Sequence, residues 1–501
     1  MAQNALEVRR IGPSGTVVRP PARIAWPAIG SVAVGVVVLL LAMASRYGYY
    51  RDELYFRMLS DHPALGYVDQ PPLTPWLAGL ATHLFGDTAV GIRVPAALCA
   101  AAAVVLTAMI AAELGGSARA QVTAALGTAG SCYVLLVGHT LLTSSFDLAA
   151  WLAVALFALK ALLRSEGTWW LWAGVAVGLS LYNKYLIALF GLGLLVGLLA
   201  AGPRRVLVSR PLLAGVAIAL VIGVPNILYQ ATHDWPQLKM AAALGADGNS
   251  DRNRLFMLPG QLILVGLPLA PIWIAGLVGL LKRPGTRAVA LSFPVALALV
   301  FATGGRMDYA APLLFVLFAA GCVGLDTWAF SRGRRRLVTW ALALNTGLSV
   351  LLTLPVLPES VVAHTPIPMA NVEVRDSMGW PELAHQVRDV VAGLPAGEQP
   401  VLLAQDYGEA GALARWPDGL PAVYSGHNEL ATWLPPESAT TVVAVGINPD
   451  LLAPSFAQCA LVGTVELGAD VGNQAQHAPI VVCTGRQWSW QQLWPRLVHL
   501  G

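Results

Sequence analysis

The chain has 501 residues, 56% of them hydrophobic and only 12% charged, against about 25% charged in an average soluble protein. With a mean hydropathy of +0.63, this composition excludes an ordinary soluble domain and points to the membrane class. The net charge of +3 gives no ground for a nucleic-acid partner.

Residues 1–25 contain Arg and Pro, have no helical period, and read as a disordered cytoplasmic tail. A bilayer span needs about 20 mostly apolar residues. Eleven segments qualify as transmembrane helices: 26–45, 89–112, 121–138, 146–163, 168–181, 186–202, 211–229, 259–281, 287–302, 309–328 and 337–357. They define a membrane module over 26–357, with outer loops at 46–88 and 230–258. The polar end of the second loop, "GADGNSDRNR", reads as mobile. The predicted fold is a polytopic α-helical membrane protein with a small C-terminal α/β domain.

Lys and Arg concentrate in alternate short connections, which hold 17 of the 31. By the positive-inside rule these connections and the N-terminus are cytoplasmic, and an odd span count puts residues 358–501 outside. The predicted location is a membrane that the chain crosses many times, with the N-terminus on the cytoplasmic side. The first span exceeds a signal-peptide core and has no small-residue cleavage site after it. Tyr47, Tyr49 and Tyr50 follow as an interfacial aromatic belt.

The outer domain alternates helical and strand-like stretches. "PELAHQVRDVVAGL" and "YGEAGALARW" have helical spacing; "QPVLLAQ", "PAVYSG" and "TTVVAVG" read as strands. "VAVGIN" runs into "PDLL" with no Gly-rich turn, so no dinucleotide fingerprint is present. Cys99, Cys132 and Cys322 fall in spans and read as small buried hydrophobes. Cys459 and Cys483 bound two strand-like runs in an oxidising location. The sequence leaves open whether they form a disulfide or remain thiols.

Charges at the membrane edge are the candidates for chemistry, because unpaired ones there are expensive. Arg51, Asp52 and Glu53 stand side by side where the first span ends. A stop-transfer cluster needs nothing acidic on the outer side. The loop they open also carries Tyr55, Asp69 and Gln70, and the prolines of "QPPLTPW" should hold part of it extended. Asp147 opens the fourth span, where an acid also suits the helix dipole. Asn183, Lys184 and Tyr185 occupy a further outer turn, where the lysine is either a snorkelling side chain or a phosphate partner. Arg306, Asp308 and Tyr309 form another, in which Arg306 either pairs with Asp308 or binds phosphate. His233 lies on the same side and reads more simply as an interfacial histidine. All these groups face outward, and one outer site roofed by the C-terminal domain accounts for them together. A secondary transporter would place polar groups at the midplane on broken helices, and the span centres here are poor in charge.

The stretches "YRDELYF", "GYVDQPPLTPWLA", "FGDTAVGIRVPAAL", "SFDLAAW", "GLSLYNKYLIALF", "VPNILYQATHDWPQL", "GGRMDYAAPLLFVLFAAG" and "DYGEAGALARWPDGLPAVYSGHN" resemble the bacterial glycosyltransferase family 39 proteins. These are the dolichyl-phosphate-mannose–protein mannosyltransferase-like group of the GT-C superfamily. The likeness covers about residues 46–430. It implies a multispanning enzyme that takes a sugar from a polyprenyl-phosphate carrier on the outer face and passes it, with inversion, to a lipid, protein or polysaccharide acceptor. Membrane lipid is then an implied partner. The family's catalytic acid maps onto Asp52, with Glu53 beside it and Asp147 assisting. Arg51, Tyr55, Asp69, Gln70, Lys184, Tyr185, His233, Arg306 and Tyr309 make up the expected substrate-binding set. Relatives often carry a Lys and paired tyrosines where this chain has Arg306 and a single Tyr309. The superfamily includes enzymes that use a divalent metal, for which Asp52 and Asp147 would be the ligands; no other cofactor is implied. The alternatives are a lipid or glycan transporter or flippase, and a non-catalytic glycan-binding membrane protein.

Overall fold

The computed structural model describes residues 22–246, 250–329, 331–468 and 471–501. It also describes two short strands, β1 (Arg10–Ile11) and β2 (Val17–Val18), which pair antiparallel. The rest of the expected tail, apart from residues 22–25, lies outside the described residues, as do residues 247–249 of the polar stretch.

Every one of the eleven expected spans is helical. Among the described residues six helices are long and apolar enough to cross a membrane by length and composition: Trp26–Met43, Ala89–Glu113, Thr143–Arg164, Arg210–Thr232, Ala311–Trp328 and Arg332–Thr353. Two helix pairs pass the same test together but are bent at a break: Ala118–Ala129 by 56° into Cys132–His139, and Ser250–Val265 by 83° into the helix ending at Lys282. The remaining three, Thr168–Ser180, Ile187–Ala201 and Arg287–Thr303, are shorter apolar helices. Their apolar faces merge into one large core with the Ala89–Glu113 and Ala311–Trp328 helices at its centre.

One expectation about the loop 46–88 is corrected. The prolines of "QPPLTPW" do not hold an extended strand. Pro72 is the N-cap of the helix Leu73–Phe85 and Pro75 sits in its first turn, where a missing N–H loses no helical bond. The second outer loop is largely helical, over Pro236–Ala246 and Ser250–Val265.

The first outer loop also forms the helix Arg51–Ser60. Its N-terminus is capped by Glu53, whose carboxylate accepts from the Tyr50 backbone N–H at 2.8 Å.

The C-terminal part folds on a five-stranded mixed sheet of β3 (Pro400–Ala404), β4 (Val423–Ser425), β5 (Thr441–Val445), β6 (Phe456–Thr464) and β7 (Pro479–Arg486), in the order β4-β3-β5-β7-β6. β3, β4 and β5 run parallel; β7 is antiparallel to β5 and to β6. Strand alternation sends Leu402, Ala404, Val443 and Val445 to one face and Val401, Leu403, Val442 and Ala444 to the other. The first face shares a core with Leu54, Tyr55 and Leu59 of the helix Arg51–Ser60, so the outer domain and the first outer loop are packed as one unit. Cys459 and Cys483 are directly opposite in the β6–β7 register and form a disulfide.

Candidate active site

Asp52 and Glu53 are neighbours on one helix with opposite surroundings. The Glu53 side chain is 0% exposed and paired with Arg93, itself 2% exposed, at 2.7 Å. Arg93 Nε donates to Glu53 Oε1 at 2.8 Å, and the backbone N–H groups of Tyr50 and Leu141 complete its hydrogen bonds. Arg93 donates also to the carbonyls of Ala44 and Gly48. Glu53 therefore has no oxygen free for a substrate, and the expectation that it acts beside Asp52 is corrected. Helical neighbours point about 100° apart, so one faces the bundle and the other the cavity.

Asp52 leaves 28% of its side chain open. Tyr407 of the outer domain donates its hydroxyl to Asp52 Oδ1 at 2.8 Å, and Arg51 Nε lies 3.7 Å from the same oxygen. Burial raises the Asp52 carboxyl above its ordinary range, opposed by Arg51, the Tyr407 hydroxyl and Arg306. Arg51 also bonds to Gln474, approaches Asp376 at 3.8 Å and stands 5.7 Å from the Tyr407 ring.

The membrane module supplies cations, of which Arg306 acts electrostatically on Asp52. Arg306 is 59% open and bonds to Asp308 at 3.1 Å. Burial pushes the Asp308 carboxyl up, but Arg306 and Lys184 outweigh it and hold it below the usual range. The Lys184 ammonium lies 5.3 Å from the Tyr309 ring and within electrostatic reach of Asp147. Asp147 is buried, accepting from Asn183 Nδ2 at 2.9 Å; Asn183 is fixed in turn by Thr74 and the Thr143 carbonyl. Arg51 and Arg306 thus act electrostatically on Asp52, Lys184 and Arg306 on Asp308, and Lys184 on Asp147, with Tyr309 beside Lys184.

The other expected residues make contacts of their own. Tyr55 donates to Asp69 at 2.7 Å and stacks on Tyr407 with ring centroids 4.7 Å apart. Burial raises the Asp69 carboxyl to about 7. Gln70 is buried, and its side-chain amide nitrogen has no hydrogen-bond partner among the described residues. Tyr185 turns to Asn226 on the helix Arg210–Thr232. His233 is exposed and stacks on Tyr229 at 4.0 Å. Among the described residues no three His, Cys, Asp or Glu side chains are grouped to hold a metal, and Asp147 is engaged by Asn183.

Sequence reasoning missed Glu373, Asp376, Gln474 and Tyr407. Glu373 sits in the short helix Val372–Arg375, where burial raises its carboxyl against the pull of Arg306. Nothing in "NVEVRDSMGW" separates it from a surface acid. Tyr407 lies in "DYGEAGAL", a stretch whose density of Gly and polar residues was the available signal.

Residues 69–229 match the family described as dolichyl-phosphate-mannose-protein mannosyltransferase. Over 193 residues the chain is 30% identical to the lipid A galacturonosyltransferase RgtD of Rhizobium johnstonii, a match covering 37% of this chain and 39% of that relative's length. The crystal structure of ArnT from Cupriavidus metallidurans in the apo state is similar, with TM-score 0.58, 19% identity, and 91% of this chain and 96% of that one covered. ArnT bound to undecaprenyl phosphate is similar with TM-score 0.57 and 17% identity, covering 91% of this chain and 98% of that one. The fold is that of ArnT. Asp52, on the helix Arg51–Ser60, and Tyr407, in the C-terminal domain, meet directly in this fold.

Proposed function

We propose that this chain is a membrane glycosyltransferase that moves a sugar from a polyprenyl-phosphate carrier to an acceptor hydroxyl, with inversion. The observation that carries the reading is the Asp52 carboxylate, 28% open and within electrostatic reach of Arg51 and Arg306, with Lys184 joining Arg306 at Asp308. Asp52 accepts the proton of the acceptor hydroxyl as its oxygen attacks the anomeric carbon. The bond from that carbon to the phosphate oxygen breaks on the opposite face. Its electron pair stays with the polyprenyl phosphate, which gains one negative charge. Arg306 and Lys184 stabilise that charge, which is larger in the transition state than in the bound donor. Asp147, held by Asn183, orients Lys184. The donor brings its activation with it, so no nucleotide site is required.

The match to a lipid A galacturonosyltransferase supports a lipid acceptor over a protein or a polysaccharide. The Cys459–Cys483 disulfide supports an oxidising compartment for the outer domain. That agrees with a cytoplasmic N-terminus in the bacterial plasma membrane and a catalytic cavity on the outer face.

The test is incubation of the purified full-length protein with undecaprenyl-phosphate sugars carrying mannose, arabinose-type or galacturonic acid residues, with lipid, peptide and polysaccharide acceptors. Release of undecaprenyl phosphate identifies the donor, and the labelled product identifies the acceptor. No release with any pair, or full release by Asp52→Asn, would sink the reading. A reporter fused after residue 501 tests the orientation, and a cytoplasmic signal would refute it.

A further inference from the structure

The stretch Asp406-Tyr407-Gly408-Glu409-Ala410-Gly411 is built to bring one hydroxyl to Asp52. It follows the carboxyl end of β3, where parallel sheets present ligand-binding turns. Asp406 caps the helix Tyr407–Arg415 by accepting from Gly408 N–H at 2.8 Å, and Glu409 returns to the backbone N–H of Gln405 at 3.0 Å. A Cβ on Gly411 would stand 2.7 Å from Leu54 Cβ, and one on Gly408 2.9 Å from Arg51 Cβ. Only glycine lets this helix lie so close against the helix Arg51–Ser60. The Tyr407 ring is then fixed by stacking on Tyr55 and by a tilted contact with the His427 ring, whose centroid is 4.8 Å away.

We propose that Tyr407, supplied by the outer domain, is the positioning residue for Asp52: its hydroxyl occupies Oδ1 and leaves Oδ2 to meet the acceptor hydroxyl. The proposal rests on the reading of Asp52 as the base. Charged and titratable groups face Asp52 from every side: Arg51 and Tyr50 from its own segment, Arg306 from the membrane module, Glu373 from the linking segment and Asp406 from the outer domain. Among these, the Tyr407 hydroxyl makes the direct hydrogen bond to the Asp52 carboxylate. A donated hydrogen bond stabilises the charged carboxylate and keeps it a base at lower pH.

The test compares the full-length wild type with Tyr407→Phe, Tyr407→Leu and Asp52→Asn in lipid nanodiscs. It follows release of undecaprenyl phosphate from the sugar donors above and binding of undecaprenyl phosphate itself. Tyr407→Phe keeps the stacked ring. It should lower kcat by about tenfold or more, the rate equivalent of one hydrogen bond to a charged group. Binding of undecaprenyl phosphate should be unchanged, and the acid limb of the kcat–pH profile should move to higher pH. Tyr407→Leu should lose thermal stability as well, which Tyr407→Phe should not. Wild-type kcat and acid limb in Tyr407→Phe, with Asp52→Asn inactive, overturns the positioning role alone. A fall in kcat with an unmoved acid limb reduces Tyr407 to a packing residue and also overturns it. An active Asp52→Asn overturns the base assignment and this proposal with it.

Discussion

Glu53 and Arg93 form a bidentate ion pair, buried on both sides, between the first outer loop and the second long span. One residue away, Asp52 is open to the cavity. The two acids of "RDEL" therefore divide into one that holds the frame and one that faces substrate.

Removing one partner of a buried pair strands the other charge, at about 3–5 kcal/mol. Arg93→Met and Glu53→Ala should therefore sharply lower the melting temperature of the purified protein, or abolish its accumulation in membranes. Asp52→Asn should leave the melting temperature close to wild type while stopping transfer. Thermal unfolding of the three variants side by side is the check; equal stabilities would contradict the division.

Lys184 and Arg306 are the cations proposed to meet the carrier phosphate. Lys184→Met and Arg306→Met should each weaken undecaprenyl phosphate binding about tenfold or more, the order expected for one charge-assisted contact. The acceptor KM should stay within about twofold, because an unchanged contact set leaves that affinity unchanged. Unaltered binding in both variants would remove the phosphate site from this wall of the cavity.

At Gly411 the helix contact leaves no room for a side chain, since a Cβ there would stand 2.7 Å from Leu54 Cβ and 3.0 Å from the Leu54 carbonyl carbon. Gly411→Leu should push the outer domain away from Asp52 at about 1–3 kcal/mol of overpacking and lower kcat. The Cys459–Cys483 disulfide should still form, as a non-reducing mass measurement would show. Full activity in this variant would separate the outer domain from the chemistry.

Asp69 carries a pH signature. Its carboxyl is raised by burial to about 7, so the folded protein holds a proton that the unfolded chain gives up near pH 4. A raised native pKa adds stability that is fully present below the unfolded value and lost as pH rises through the folded one. Stability should therefore decline between about pH 4 and pH 7 in the wild type, and Asp69→Asn should flatten that slope. Melting temperatures across this range decide it; a parallel decline in both proteins would place the titration elsewhere.

Much of the architecture was legible along the chain. The apolar runs are helices because hydrocarbon-length segments must satisfy their own backbone, and "QPVLLAQ", "TTVVAVG" and the two cysteine-bounded runs are strands of one sheet. Lys184, Asp147 and Arg306 stood out because isolated charges at span ends are costly, and the fold brings them together. The prolines of "QPPLTPW" misled because a proline suits the first turn of a helix as well as an extended segment.

The sequence by itself determined the membrane class, the C-terminal α/β domain and a set of charges at helix ends, since composition and periodicity act locally. Only the tertiary structure decided which charges are free. Asp52 and Glu53 are chemically alike and adjacent, and they are told apart by partners 355 and 40 residues away, Tyr407 and Arg93. The helix turns about 100° between them, and what meets each direction is fixed only when the outer domain closes over the bundle.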